Sequence, residues 1–405
     1  MFKNSEENQI EQNPIMVYGT VWCPDCKRTK KFFGEQRIPY VNIDIEQDPQ
    51  AMVYVEKVNN GMRIVPTILF PDGSILVEPS NADLAKKLGL QTQAQRQFYD
   101  TIVIGGGPAG LTAALYLARE GQDVLVIEKA GLGGQAGVTH TLDNYPGFDE
   151  GIPGAEFGDR LGRQARRFGA EILQANEVVD IFQQGPYLCA ITGDGIEYGA
   201  KAILLATGAR YRRLDIPGED ELIGTNVHFC ATCDGAFYKG KKVLVIGGGN
   251  SGFEEGLFLT KFASQVDIVE FSPQVKASQL LQDKVAKMPN MNVTVNHAVK
   301  EFKIKNGRLA GVVVQDRATG ELKEWQYDGV FVFIGLSPNS DLVKNKVETD
   351  RFGFVITDSN LMTTLPGLFA AGDVRLGSTK QAASAAGEGA TAALMIREYM
   401  RKVGK

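Results

Sequence analysis

Apolar and polar positions divide the 405-residue chain into short strand-like runs separated by helical stretches. Ile15–Tyr18 is a compact apolar run, and a helical stretch follows to about Gln36. Tyr40–Asp44 predicts a second strand and Pro49–Val58 a second helix. Thr67–Phe70 and Ile75–Glu78, joined by Pro71-Asp72-Gly73-Ser74, predict a hairpin. Asn81–Leu88 closes this first unit as a helix whose cap is Ser80 or Asn81. Gln91–Gln97 then carries four glutamines and no aliphatic side chain larger than alanine. It buries little surface, which marks a linker or an exposed helical turn.

From Phe98 onward the chain repeats itself. Thr101–Ile104 leads into a turn holding Gly105, Gly106, Gly107, Pro108, Ala109 and Gly110, and Val243–Ile246 leads into Gly247, Gly248, Gly249, Asn250, Ser251 and Gly252. In each copy a later strand ends in an acid at the same distance past the last glycine, Gly110 to Glu128 and Gly252 to Glu270. One such glycine turn is weak evidence; two in matched strand–turn–helix settings are strong evidence for two dinucleotide sites. The glycines allow a tight turn that brings a pyrophosphate up to a helix N-terminus, while the acid holds ribose hydroxyls.

Composition narrows the function. Hydrophobic residues make up 43% and charged residues 22%, as in ordinary globular chains. The net charge of -5 argues against nonspecific nucleic-acid binding and against a polybasic membrane patch. The polar N-terminus lacks the apolar core of a signal peptide, and runs such as Val330–Ile334 are too short to span a bilayer, so a cytoplasmic location is expected. Four of the five cysteines form two Cys-x-x-Cys pairs, Cys23/Cys26 and Cys230/Cys233. In a reducing compartment such pairs point to redox chemistry or to zinc. Their separation in the chain, each in a different redox or nucleotide setting, favours redox and assigns no metal. Cys189, alone in the alternating run Tyr187–Ile191, is expected to be a buried, unreactive thiol. His140 and His297 have no motif around them and receive no role.

Gly367-Leu-Phe-Ala-Ala-Gly372-Asp373 and the Ala206, Thr207, Gly208 turn are similar to landmarks of the two-dinucleotide-binding-domain flavoproteins. The segment Phe229–Gly235, with Cys230, Cys233 and Asp234, resembles the low-molecular-weight thioredoxin reductases; Val269–Ala277 resembles their relative, the flavoprotein subunit of alkyl hydroperoxide reductase. The resemblance covers about residues 100–400. It implies FAD at Gly105, Gly107, Pro108, Ala109, Gly110, Glu128 and Lys129, at Gly133, Gly134, Gln135 and Asn144, and at Ala206, Thr207 and Gly208. Asp373, with Gly372, would bind the ribityl chain, and Lys380, Gln381 and Ala382 would contact the flavin. A nicotinamide dinucleotide would occupy Gly247, Gly249, Asn250, Ser251, Gly252 and Glu270. Residues 14–90 resemble glutaredoxins, most closely the mycoredoxin group, through Trp22-Cys23-Pro24-Asp25-Cys26, Arg63-Ile-Val-Pro66-Thr67 and Phe70–Ser74. Pro66 would be the cis-proline facing the disulfide.

The expected architecture is therefore α/β throughout. A thioredoxin-like (glutaredoxin) domain at 14–90 and a linker at 91–97 precede an FAD domain split into 98–213 and 337–405. An NAD domain with the redox disulfide is inserted at 214–336. NADPH-dependent relatives carry His-Arg-Arg-x-x-x-Arg where this chain has Glu270-Phe-Ser-Pro-Gln-Val-Lys276. The carboxylate repels a 2′-phosphate, so NADH is expected over NADPH, with Lys276 or a distant arginine as the open alternative. The resemblance gives Cys233 the flavin contact, Cys230 the attack on an incoming disulfide, and Asp234 the role of acid/base; helix capping by Asp234 is compatible with that role. His228 departs from the small hydroxyl usual at its position, and a structural or solvent-facing side chain is expected there. Cys23 at a helix N-terminus, near Lys27 and Arg28, favours thiolate, which Asp25 opposes.

The implied activity is a disulfide reductase that passes electrons from NADH through FAD and Cys230–Cys233 to Cys23–Cys26 and on to an external disulfide. The acceptor would be a thioredoxin- or glutaredoxin-like protein, a peroxiredoxin or a low-molecular-weight mixed disulfide, and the resemblance implies a homodimer. Three rivals stay open: a dedicated peroxiredoxin reductase, an enzyme fed by a protein donor such as ferredoxin, and a redox-responsive flavoprotein sensor.

Overall fold

The computed structural model describes residues 14–403 except 139–141, 143, 224 and 230; the side chains of 232, 233, 236 and 403 also lie outside the description. Cys230, the Cys233 side chain and His140 thus fall outside the described residues. Among the described residues, no helix is long and apolar enough to cross a membrane.

The first unit is a four-stranded sheet in the order 40–44, 15–19, 67–69, 75–77. Ile15–Gly19 runs parallel to Tyr40–Asp44 and antiparallel to Thr67–Leu69. Strand alternation sends Val17 and Ile68 into a core with Phe32, Phe33 and Leu84, and sends Tyr18 to the other face with Ala51 and Val55. Each helix start has a local cause. Cys23 caps Pro24–Glu35, Asp48 caps Pro49–Val58, and Ser80 forms a reciprocal capping box with Asp83 on Asn81–Lys87.

The second unit is built on the strand order 171–173, 124–127, 98–104, 197–205, 187–192, 178–184. Leu368–Ala370, late in the chain, returns to pair with it, Ile203 against Leu368 and Leu205 against Ala370. Period-two alternation divides the core. Val103, Leu204 and Phe369 face helices Pro108–Arg119 and Ala382–Val403, while Ile102, Leu205 and Leu368 face the opposite layer. The third unit repeats the scheme with strands 227–228, 329–332, 242–246, 265–269 and 291–294. Val243, Val245 and Phe331 pack under helices, and Leu244, Val330 and Val332 pack on a three-stranded sheet formed by 297–305, 308–316 and 322–325. Where the chain passes between these units it crosses twice, and the two crossings pair as an antiparallel ribbon, Ala209 with Pro338 and Tyr211 with Leu336.

The glutamine-rich segment 91–97 is held against the second unit. Gln174 N–H donates to the Gln91 carbonyl (2.9 Å), Asn176 Nδ2 to the Thr92 carbonyl (2.9 Å), and Ala94 N–H to Tyr198 OH (3.3 Å). Glu171 gathers the rest, accepting from the Gln95 amide (2.8 Å), the buried Tyr99 hydroxyl (2.6 Å) and the Gln91 side chain. The segment is thus anchored mainly through its backbone, with the Gln91 side chain adding a bond to Glu171. Glu171→Ala leaves those donors without their acceptor and is expected to cost about 1–3 kcal/mol. Limited proteolysis within 91–97 should accelerate in that variant, and an unchanged cleavage rate would show that other contacts hold the segment.

Candidate functional site

Both glycine turns are forced by close backbone approach. Gly105 has φ +110°, and a Cβ there would overlap the Ala206 carbonyl; a Cβ at Gly110 would overlap the Gly105 carbonyl. The second turn repeats this, with Gly247 at φ +122° against Phe333 and Gly252 against Gly247. The acids repeat as well. Glu128 accepts from the Gly106 amide (2.6 Å) and the Ala130 amide (2.7 Å), and Glu270 from the Gly248 amide (2.6 Å) and the Ser272 amide (2.7 Å). Burial raises the Glu128 pKa, and these amides and Arg37 oppose the shift. Each carboxylate oxygen keeps a second lone-pair direction for a ribose hydroxyl. Gly107 and Gly249 cap helices Pro108–Arg119 and Asn250–Leu259, whose first amides have no side-chain partner from the cap.

A cleft of about 730 Å³ opens from the first turn and takes in Gln135, Thr207, Glu255 and Asp373. Its far wall comes from the end of the chain. Asn144 Nδ2 donates to Gln381 Oε1 (3.0 Å), Lys380 Nζ to the Asp373 carbonyl (2.8 Å), and the Gly372 amide to Glu388 (2.7 Å). Burial raises the Asp373 pKa, opposed by Lys380 and Ser378. Gly133 donates to the Gly106 carbonyl (2.7 Å), tying the Gly133-Gly134 loop to the turn. Lys129 points outward to Glu177 (3.2 Å). The cleft fits a flavin dinucleotide in size and in donor set: glycine-lined backbone at the first turn, a carboxylate for ribose, and a buried Glu255 oxygen without a partner.

Several cleft residues carry no sequence signal. Asn339 locks the 206–208 turn, donating from its backbone to Gly208 (2.9 Å) and from Nδ2 to Thr207 (2.8 Å), while Thr207 Oγ1 donates back to its carbonyl (2.7 Å). Glu255, on the helix after the second turn, has its pKa raised by burial and opposed by the Ala231 amide. It could be suspected only from a carboxylate on a helix that starts at a nucleotide turn. Around the second turn, Asn250 Oδ1 accepts from the Ser278 amide (2.8 Å), and Ser251 and Lys276 are exposed. Arg317 is an arginine distant in sequence that reaches this region. Its guanidinium lies 3.7 Å over the Phe271 ring and donates to the Phe271 carbonyl (2.7 Å).

Cys233 lies in the short helix Ala231–Asp234. Asp234 stands at the N-cap of the following turn Gly235–Tyr238 without a side-chain capping bond; its Oδ2 sits 3.1 Å from His228 Nδ1. His228 Nε2 is 2.7 Å from the Tyr238 hydroxyl. The ring thus bridges Asp234 and Tyr238, and the Tyr238 hydroxyl in turn reaches the Thr225 carbonyl (3.3 Å). His228 is only 5% exposed, so the solvent-facing alternative is corrected: the ring is buried against Phe331 and Tyr238. Burial, reinforced by Asp234, pushes the Tyr238 hydroxyl up to about 12.

The outer pair is asymmetric. Cys23 is the N-cap, and its sulfur accepts from the Cys26 amide (3.2 Å) and lies 3.6 Å from the Val65 carbonyl, beside the cis Val65–Pro66 peptide bond. Cys26 is fully buried, and burial together with the Cys23 sulfur pushes its thiol up to about 12. Trp22 and Val21 stand exposed beside Cys23. Asp25 pairs with Arg28 at 3.0 Å, so its charge is met by a cation instead of facing the thiol alone. Cys189 is buried, with its thiol pushed up to about 11 by burial and by Glu197. In reduced protein near neutral pH, iodoacetamide should therefore label Cys23 and spare Cys26 and Cys189 until unfolding. Peptide mapping that found Cys26 labelled in the folded state as fast as Cys23 would contradict this assignment.

Comparison with known proteins agrees with this geometry. The family model for pyridine nucleotide-disulphide oxidoreductases matches residues 99–389, and the glutaredoxin model matches residues 15–75. The thioredoxin reductase of Bacillus subtilis is 39% identical over 312 residues, covering 76% of this chain and 97% of that protein. The thioredoxin reductase of Peptoclostridium acidaminophilum is 40% identical over 308 residues, covering 75% and 97%. Among solved structures, the Lactococcus lactis thioredoxin reductase in its FR conformation superposes with a TM-score of 0.69 at 38% identity, covering 75% of this chain and 99% of that one. The T. acidophilum thioredoxin reductase gives 0.68 at 34% identity, covering 76% and 100%. With a glutaredoxin domain ahead of its two dinucleotide folds, the chain belongs to the pyridine nucleotide-disulphide oxidoreductases, in the FAD-dependent thioredoxin-reductase family.

Proposed function

We propose that this chain is a self-contained NADH-driven reductase in which the inner pair Cys230–Cys233 serves the outer pair Cys23–Cys26 before any external disulfide. The observation that carries the reading is the asymmetry of the outer pair: both sulfurs are buried, but Cys23 caps the helix beside exposed Trp22 and Val21 and keeps 5% of its surface open, while Cys26 is fully enclosed. That is the arrangement of a dithiol that attacks an outside disulfide with one sulfur and resolves it with the other.

Bound FAD would supply two-electron exchange between nicotinamide and a disulfide. The residues do the remainder. Once reduced, Cys230 attacks the Cys23–Cys26 disulfide; a mixed disulfide forms as the outer bond breaks, and the Cys233 thiolate displaces the outer thiolate to re-form Cys230–Cys233. Two electrons and two protons move outward. Asp234 gives a proton to the departing thiolate, and His228, bonded to Asp234, orients it. Cys23 then attacks the acceptor disulfide and Cys26 closes the cycle.

NADH as donor rests on Glu270, whose carboxylate closes the second turn where a 2′-phosphate would need cations. The Arg317 guanidinium is engaged with Phe271, while Lys276 is exposed. The protein acts in the cytoplasm as a homodimer on this reading, and its acceptor is a protein or low-molecular-weight disulfide.

Cys23→Ser should leave flavin bleaching by NADH at its normal rate and abolish turnover of the final disulfide. Turnover at the wild-type rate would remove the carrier role. NADPH should support less than about a tenth of the NADH rate, since an unpaired carboxylate–phosphate contact costs more than about 1.4 kcal/mol; equal rates would place the 2′-phosphate on Arg317 or Lys276. His228→Phe should slow disulfide turnover by about tenfold or more and shift its pH profile, with flavin reduction unchanged. An unaltered pH profile would limit His228 to packing.

A further inference from the structure

The C-terminal end of helix Pro24–Glu35 is docked on the flavin-binding unit, and one residue there has no role in the glutaredoxin fold. Arg37 follows the C-cap Gln36 at φ +56°, the left-handed position that glycine takes without strain. The closing bonds are those of a helix stop, Arg37 N–H to Gly34 (3.1 Å) and Ile38 N–H to Phe33 (2.9 Å). A helix stop alone would favour glycine here, and the arginine makes side-chain contacts that glycine could not.

The side chain leaves its own domain. Its guanidinium donates to the Leu132 carbonyl and to the Gly134 carbonyl (2.8 Å), inside the loop that Gly133 ties to the first glycine turn. Two neighbouring bonds fix the docking: Gly131 N–H to the Glu35 carbonyl (2.9 Å) and Gln36 Nε2 to the Lys129 carbonyl (2.9 Å). The loop is cleared for the arginine. A Cβ at Gly131 would stand 3.2 Å from Arg37 Cδ, and one at Gly137 would overlap the guanidinium. Arg37 then lines the same cleft as Gly105, Gly107 and Glu128.

Charge gives the reason. The cleft is lined by the carboxylates of Glu35, Glu128, Glu255 and Asp373, and a dinucleotide adds two negative phosphates. Of the lysines lining it, Lys129 is drawn to Glu177 and Lys380 is bound to the Asp373 and Arg375 carbonyls at the far wall. Arg37 stands beside the glycine turn, with two of its five N–H donors accounted for by the loop carbonyls.

We propose that Arg37 is a phosphate ligand for FAD supplied by the glutaredoxin domain, so that the electron carrier forms part of the flavin site of the reductase it precedes. The proposal rests on the flavoenzyme reading. It also makes flavin binding and carrier docking reciprocal: whatever factor docking adds to FAD affinity, FAD adds to docking. The reactive end of the helix remains clear of this contact, since twelve helical residues span about 18 Å from Cys23 to the docked end.

The decisive variant is Arg37→Gly. Glycine suits the left-handed position, so the glutaredoxin domain should fold at least as well, which labelling of Cys23 ahead of Cys26 and the thermal midpoint would report. Full-length protein stripped of flavin and titrated with FAD, followed by flavin fluorescence, should show binding weakened tenfold or more. Arg37→Lys should lose less. FAD should also slow proteolysis within 91–97 in the wild type and not in Arg37→Gly. An unchanged FAD dissociation constant in Arg37→Gly would overturn the proposal and reduce Arg37 to a docking strut. Wild-type protein that bound no FAD would instead overturn the flavoenzyme reading on which it rests.

Discussion

The structure depends first on two buried carboxylates that close onto the second glycine of each turn. Glu128 and Glu270 each accept two backbone amides, one from the turn and one from two residues further along their own strand end. A carboxylate buried without partners would be costly, and here the amides that satisfy it also fix the turn against the neighbouring strand. Each turn is thereby held open toward a helix N-terminus. Glycine is needed where the turn meets the crossing strand, at Ala206 in one copy and Phe333 in the other, because a side chain would strike a carbonyl.

These two cradles belong to units joined by a single paired ribbon, 209–211 with 336–338. The cleft of the first cradle reaches Glu255 on the helix of the second and Asn339 just past the ribbon. The cleft is therefore lined from distant parts of the chain: the first turn, the returning segment around Asp373, the helix after the second turn and the end of the glutaredoxin domain's first helix. A cleft lined in this way depends on the relative placement of the units. Asp234 is held by His228, itself bonded to Tyr238, while the two outer cysteines differ in capping and in how completely they are enclosed.

What the sequence displayed and what it hid divide along physical lines. The glycine turns, the matched acids, the returning Gly372-Asp373 segment and the helix-capping Cys23 were legible because each is fixed by neighbours in sequence: spacing, backbone conformation or a cap. Asn144 meeting Gln381 follows from the family motif but not from periodicity. Arg37, Asn339 and Glu255 were not legible, since each acts on backbone atoms or empty space contributed by distant segments, and a carbonyl acceptor leaves no residue type behind. For His228 the structural reading stands and the solvent-facing one does not: its partners Asp234 and Tyr238 come round to it through a short helix and a tight turn that spacing alone does not reveal. The glutamine-rich segment 91–97 looked unattached because its anchors, Glu171 and Tyr198, lie on the second unit.

The central claim is that electrons entering at the second cradle reach the outermost sulfurs of the same polypeptide assembly. An anaerobic titration of the purified, fully oxidised protein with NADH tests it most directly, with flavin absorbance and free thiols counted at each addition. The account predicts one equivalent of NADH for each of the flavin, the inner pair and the outer pair, with Cys23 and Cys26 appearing as thiols. A titration that ends with the flavin bleached and Cys23–Cys26 still a disulfide would contradict it.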